Sequence, residues 1–296
     1  MRSYSETIEG AANGMSGHCH KGKKPMISGF DGCDAQAHSA LIREKNCRHG
    51  LMYYIGTDSY IGRSLEMYGE FSEIEIDLLC RLMRPGAYIV DAGANIGTHT
   101  LPFAKASGPD GAVLAFEPQQ VLFQILRENV ARNGITNVRT FPQALGSTWS
   151  RIALPVIDYS YNNNFGGVSL RQEGDIFVQT ITLDSLSLGR CDLLKVDVEG
   201  MEADVLTGGQ VTIERTRPVL YVENDRRLQS PALISLIMSF GYQLWWHTPP
   251  LYNENNFSGC SVDVFPGTVS INMLCLPNEA RAFSCRASIT GMAEIV

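Results

Sequence analysis

The stretch Leu193-Leu-Lys-Val-Asp-Val-Glu-Gly-Met-Glu202 puts charged side chains where a buried strand would carry apolar ones. A strand's period of two sets Lys195, Asp197 and Glu199 on one side and Leu194, Val196 and Val198 on the other. Central parallel strands are ordinarily apolar on both faces, and an unpaired buried charge is costly, so these groups need partners or a ligand. Asp197 and Glu199 are carboxylates that could take a proton from an acceptor or polarise it. They could also bridge a divalent ion, a choice the sequence leaves open. A self-satisfied Lys195–Asp197 or Lys195–Glu199 pair is the plainer alternative. Further upstream lies Asp91-Ala-Gly-Ala-Asn-Ile-Gly-Thr98. Gly93 and Gly97 allow a tight turn and a close ligand approach, and Asn95 is the residue next best suited to a left-handed conformation. A helix starting near Gly97 and Thr98 offers free N–H groups to a carboxylate, while Asp91 offers charge to an ammonium group. Glu117, followed by Pro118, comes 26 residues after Asp91 and is placed to accept hydrogen bonds from both hydroxyls of a ribose.

Aromatic and imidazole groups make a second set. His247 follows Trp245 and Trp246, and a neutral imidazole there could act as a base at a substrate mouth. His99 falls in the first turn of the helix after Gly97 and is expected to pack near a bound ligand. Trp245, Trp246, Tyr252 and Phe257 could either stack on a sugar or belong to the core.

These residues must be positioned by alternating strands and helices. Phe71, Ile74, Leu78 and Leu82 share a helical stripe that Pro85-Gly86 ends. Strands are expected at 87–91, 112–117, 137–141, 191–197, 218–223, 242–246 and 269–276, and helices at 98–106, 119–133 and 231–240. Such alternation predicts an α/β fold with a mostly parallel sheet, helices on both faces and ligands beyond the strands' carboxyl ends. Residues 149–182 break the pattern and are expected to be an inserted β segment. Its loop, Tyr159 to Gly167, is too polar for core. Residues 1–50 are expected to be a poorly ordered or external leader, 51–280 the main domain, and 281–296 a tail. His18, Cys19, His20, Cys33 and His38 in the leader are zinc-ligand types whose spacing fits no standard finger.

Composition narrows the function classes. The 296 residues are 44% hydrophobic and 19% charged, an ordinary globular balance. A net charge of −7 argues against a nucleic-acid partner held through phosphates. The longest apolar run, Leu233 to Trp246, is too short and too interrupted to span a bilayer. The N-terminus lacks the apolar segment of a secretory signal, and the eight cysteines contain no CxxC pair. A cytoplasmic protein with free thiols is expected.

The sequence resembles the FkbM family of S-adenosylmethionine-dependent methyltransferases. The resemblance rests on VDAGANIGTHT (90–100), AFEPQ (115–119), ENVARNGITNV (128–138), TLDSL (182–186) and LLKVDVEGMEADVL (193–206). RPVLYVEN (217–224), GYQLWWHTPPLYNENNF (241–257) and SINMLCLP (270–277) extend it. It implies a Rossmann-like class I methyltransferase fold of seven strands, the last antiparallel. It also implies O-methylation of a hydroxyl on a sugar, glycan or secondary metabolite, a small-molecule or carbohydrate partner. Asp91, Gly93, Asn95, Gly97 and Thr98 would line the methionine end of the cofactor, Glu117 and Pro118 the ribose, and Gln143 and Ala144 the adenine. Lys195 to Glu202 would border the methyl, with Asp197 touching cofactor as well as acceptor. Two rivals stand beside this: a non-catalytic S-adenosylmethionine-binding module, and an NAD(P)-dependent sugar-modifying oxidoreductase. The second lacks its glycines, since Asn95 and Thr98 stand where G-x-G-x-x-G needs the later two.

Overall fold

The computed structural model of the chain describes residues 41–168, 174–282 and 292–295. The zinc-ligand types of the leader lie outside them. The expected boundary at residue 50 falls inside a hairpin, because β1 (Ile42–Cys47) pairs antiparallel with β2 (Gly50–Ile55). The folded body therefore reaches back past it. Two helices follow, α1 (Ile61–Tyr68) and α2 (Glu73–Leu82). The chain then alternates through β3 (Tyr88–Ala92), α3 (Thr100–Ser107), β4 (Ala112–Phe116), α4 (Gln120–Arg132) and β5 (Val138–Phe141).

The expected insertion is present. β6 (Ala144–Leu145), β7 (Ser150–Leu154) and β8 (Ile176–Ile181) form a separate sheet in the order β6-β8-β7. Its loop departs from expectation. Phe165 is fully buried, packs on Tyr159 with ring centroids 4.8 Å apart, and its carbonyl accepts a bond from Gln119 Nε2 at 2.9 Å. One apolar side chain thus ties a polar loop down onto the body.

The alternation resumes with β9 (Leu193–Val196), α5 (Glu202–Thr207), α6 (Gln210–Thr216), β10 (Val219–Glu223) and α7 (Ser230–Ser239). It ends with β11 (Tyr242–His247), β12 (Asn272–Pro277) and β13 (Ala293–Ile295). The central sheet runs β13-β11-β12-β10-β9-β3-β4-β5, which is eight strands among the described residues where seven were expected. The added strand comes from the expected tail, where β13 pairs antiparallel with β11. β12 is antiparallel to both neighbours, β10 and β11, and the pairs from β10 to β5 are all parallel. The fold is α/β and Rossmann-like.

Period-two alternation splits the core. Val90, Leu194, Leu220, Val222, Met273 and Cys275 pack with α5, α6 and α7, while Ile89, Leu193, Tyr221, Leu274 and Trp245 pack on the other face. Trp245 is thus core, as its side facing Leu274 requires. The strands' register then puts Asp91, Lys195 and Tyr221 side by side across β3, β9 and β10, on the face of Ile89 and Leu193. One polar row interrupts an apolar face at the carboxyl end of the sheet.

Candidate functional site

Above that row opens a cleft of about 480 Å³. The turn after β3 forms its floor. Gly93 has φ +79° and Asn95 φ +49°, as the sequence required. A Cβ on Gly93 would lie 1.7 Å from the Asp197 carbonyl oxygen, so only glycine lets the β3 turn pass the end of β9. Gly97, φ +92°, faces inward, where a Cβ would meet Leu126 at 2.8 Å. It shapes the turn without lining the cleft, whereas Thr98 lines it.

Glu117 closes one end. It is 4% exposed; its Oε2 accepts from Asn95 N at 2.9 Å and its Oε1 from Gln119 N at 2.8 Å. Burial pushes its carboxyl up to about 7, against the pull of those two amides. A narrower recess continues past Glu117 along Pro118, Ala144 and Val198, under Gly166. Gln143 is not part of that recess but opens onto an apolar groove on the outer side, with Phe123 and Tyr159.

The charged row is largely self-paired. Lys195 is 3% exposed, with Nζ 3.2 Å from Asp197 Oδ2 and 3.5 Å from Asp91 Oδ1. Burial disfavours the ammonium, but Asp197 and Asp91 outweigh it and hold its pKa above the ordinary lysine value. Asp91 is fully buried and accepts from Thr100 Oγ1 at 2.6 Å, so it sits beneath the cleft rather than in its wall. It anchors Lys195 and Thr100 there, and its charge reaches a ligand only through them.

Asp197, Glu199 and Glu223 converge at the rim, each offering a carboxylate oxygen within 4.8 Å of the others. The strand stops at Val196 and Glu199 takes φ +55°, so Glu199 arrives through a turn and not through strand alternation. Its Oε2 accepts from Arg226 Nη2 at 2.6 Å. Burial, and then Asp197, push its carboxyl to about 8. Glu223 is raised well above its ordinary value by burial and the same neighbours, and its Oε2 is buried without a hydrogen-bond partner among the described residues. An all-oxygen set suits Mg²⁺ or Ca²⁺. A metal there would have to displace the Lys195 or Arg226 contact.

His247 does not reach the cleft. Its Nδ1 is 2.8 Å from the Tyr221 hydroxyl, and burial lowers its pKa. β12 stands between its strand and β10, so Asn272 and not His247 lines the wall beside Glu223. Of the two readings open for Trp245, Trp246, Tyr252 and Phe257, the stacking wall is not formed, since none of the four lines the cleft. Tyr252 packs against Tyr68, with centroids 5.4 Å apart, and Phe257 is half exposed, its Cδ1 near Gly69.

Sequence reasoning missed Glu75 on the opposite wall, while His99 was expected near a ligand. Glu75 from α2 and His99 before α3 line the cleft, 6% and 7% exposed in their side chains, with Glu75 Oε2 3.6 Å from His99 Nε2. Glu75 carried no motif, and its helix also holds Glu73, Asp77 and Arg81, so nothing in the pattern set it apart.

The sequence profile of the family described as "Methyltransferase FkbM domain" matches residues 91–244, which spans the Gly93 turn, Glu117 and the β9 acids. The chain belongs to the FkbM methyltransferase family. "Methyltransferase 1" of Beauveria bassiana (strain ARSEF 2860) is 32% identical over 41% of this chain and 58% of its own length. "2-O-methyltransferase NoeI" of Sinorhizobium fredii (strain NBRC 101917 / NGR234) is 27% identical over 57% of this chain and 78% of its own. The chain spans about three fifths of the first curated relatives it matches, 58% and 60% of them. A crystal structure of "Methyltransferase FkbM" from Methylobacillus flagellatus KT aligns over 65% of this chain and 44% of that one, at 16% identity and TM-score 0.47. No helix among the described residues is long and apolar enough to cross a membrane.

Proposed function

We propose that the chain transfers a methyl group from S-adenosylmethionine to a hydroxyl of a sugar, glycan or secondary metabolite. The observation that carries this is Glu117, a buried carboxylate fixed by two backbone amides at the end of β4, in one cleft with the Gly93 turn. A carboxylate so held is organised to accept two ribose hydroxyls. The recess along Pro118 and Ala144 would take the adenine, and the free N–H groups near Thr98 the methionine carboxylate. A cleft of about 480 Å³ falls in the usual range for such ligands.

The acidic rim suits the cofactor's cationic end. Asp197, Glu199 and Glu223 face one spot, and the crowding that raises Glu199 and Glu223 would be relieved by a sulfonium or ammonium group beside them. Asp91 and Lys195 then act as supports that fix Asp197. In the reaction the acceptor oxygen attacks the methyl carbon, the C–S bond breaks, and sulfur keeps the electron pair. Alignment of the three atoms is the enzyme's main contribution, about 7–11 kcal/mol in favourable cases. The hydroxyl acceptor is the finer part of the proposal; a relative named a 2-O-methyltransferase supports it.

Calorimetry with S-adenosylhomocysteine and, separately, NADH tests the cofactor. Binding of the first at micromolar concentrations and none of the second is expected. The reverse result would overturn the proposal.

A further inference from the structure

We infer that His99, oriented by Glu75, is the general base that removes the acceptor's proton. This rests on the hydroxyl-methylation proposal above and adds the residue that the acidic rim does not supply. Asp197 Oδ2 is ion-paired to Lys195 and Glu199 Oε2 to Arg226, and a cation so close weakens each carboxylate as a base. The charged neighbour of His99 is instead a carboxylate, Glu75.

His99 Nε2 is buried, has no hydrogen-bond partner within normal range among the described residues, and lies 3.6 Å from Glu75 Oε2. His99 lines the cleft with Nε2 toward Glu75, which assigns Nδ1 to the ligand in this proposal. Burial works to raise the Glu75 carboxyl, but His99, Ser270 and Lys195 outweigh it and hold it below the ordinary glutamate value. Glu75 therefore remains a carboxylate, as an orienting partner must. At 3.6 Å its charge favours a proton on Nε2 over one on Nδ1 and would stabilise the imidazolium once formed.

The groups that face the pair come from several elements. Tyr221 on β10 adjoins Glu75 and has its hydroxyl 2.8 Å from His247 Nδ1; Lys195 on β9 adds positive charge; Phe103 packs on the imidazole, with centroids 5.7 Å apart. The proton balance closes simply. The acceptor O–H gives its proton to Nδ1 as the O–C bond forms and the C–S bond breaks, and the imidazolium returns it to solvent after product leaves.

The first test needs no acceptor. Histidine labelled with ¹⁵N, assigned by difference from His99→Asn, should show the neutral His99 ring with its proton on Nε2. A proton on Nδ1 would overturn the inference. The second test follows transfer from labelled S-adenosylmethionine to a panel of methyl hexosides and N-acetylhexosaminides. His99→Asn should lose about 10²-fold or more in kcat while binding S-adenosylhomocysteine as wild type does. Glu75→Gln should lose less and should move the acidic limb of the pH–rate profile, a change that a packing role would not produce. Undiminished kcat in His99→Asn sinks the base assignment. Failure of the wild type on the whole panel, with the tautomer as expected, sinks the sugar-hydroxyl proposal instead.

Discussion

At the Glu117 end of the cleft, main-chain atoms do the positioning: a glycine turn, two backbone amides on one carboxylate, and a strand passing too close for any Cβ. At the Glu75 end, side chains from α2, β10 and β12 and the residue before α3 meet without a shared local pattern. The first end is held by main-chain geometry, although the Gly93 turn, Glu117 and the end of β9 come from three stretches of the sequence. The second is assembled only when the sheet closes. A cofactor common to many reactions fits the first, and an acceptor that differs from enzyme to enzyme fits the second.

The sharpest way to break the first end is Gly93→Ala. The new Cβ would fall 1.7 Å from a backbone oxygen at φ +79°, and neither atom can step aside cheaply. A loss of at least about 3 kcal/mol is expected, near 10 °C in thermal unfolding for a domain of this size, with binding of S-adenosylhomocysteine lost. A variant that melts and binds like wild type would show that the turn tolerates a side chain.

A milder probe is the charge on Glu117. Its ionised form is the one that accepts two ribose hydroxyls, so affinity for S-adenosylhomocysteine should rise about tenfold per pH unit up to about 7 and level off above. The linkage to stability has the opposite sign. A carboxyl raised from 4.5 to about 7 favours the folded state most below pH 4.5, and that contribution, on the order of 3 kcal/mol, fades as pH rises to about 7. Glu117→Gln should bind about 10- to 100-fold more weakly, with little pH dependence. Calorimetry across pH decides it: a wild-type affinity flat from pH 5 to 8 would remove Glu117 from the ribose.

These contrasts mark what the sequence could disclose. Strand β9 was legible because Leu193 to Val196 is a continuous apolar run broken by one lysine, and Glu117 because a carboxylate at the end of the second parallel strand has few other uses. Alternation misled at Glu199, since the strand ends three residues earlier and a left-handed turn carries the side chain to the rim. Glu223 was read only as the end of an apolar strand, and Glu75 only as the polar side of a helix. Each gains meaning from neighbours on other elements. The hairpin at residues 42–55 was hidden for a related reason. Its first strand is mostly exposed, with a polar sequence, IREKNC, of which Cys47 alone joins its partner's Met52, Tyr54 and Ile55 in the core.

The smallest expected effect sharpens the second end by separating two histidines. His247 follows an aromatic pair and could be a base at the mouth; His99 was expected to pack near a bound ligand. The structure sets His99 in the cleft and keeps His247 out of its lining, held by the Tyr221 hydroxyl at 2.8 Å on a strand that β12 separates from β10. His247→Gln removes one neutral hydrogen bond and should cost about 1 kcal/mol in thermal unfolding. Methyl transfer and S-adenosylhomocysteine affinity should stay within about threefold of wild type, because His247 does not line the cleft. A loss of kcat as large as that expected for His99→Asn would mean that proton transfer runs through His247, Tyr221 and Glu75 together. The opposite wall of the cleft would then be a relay rather than a single base.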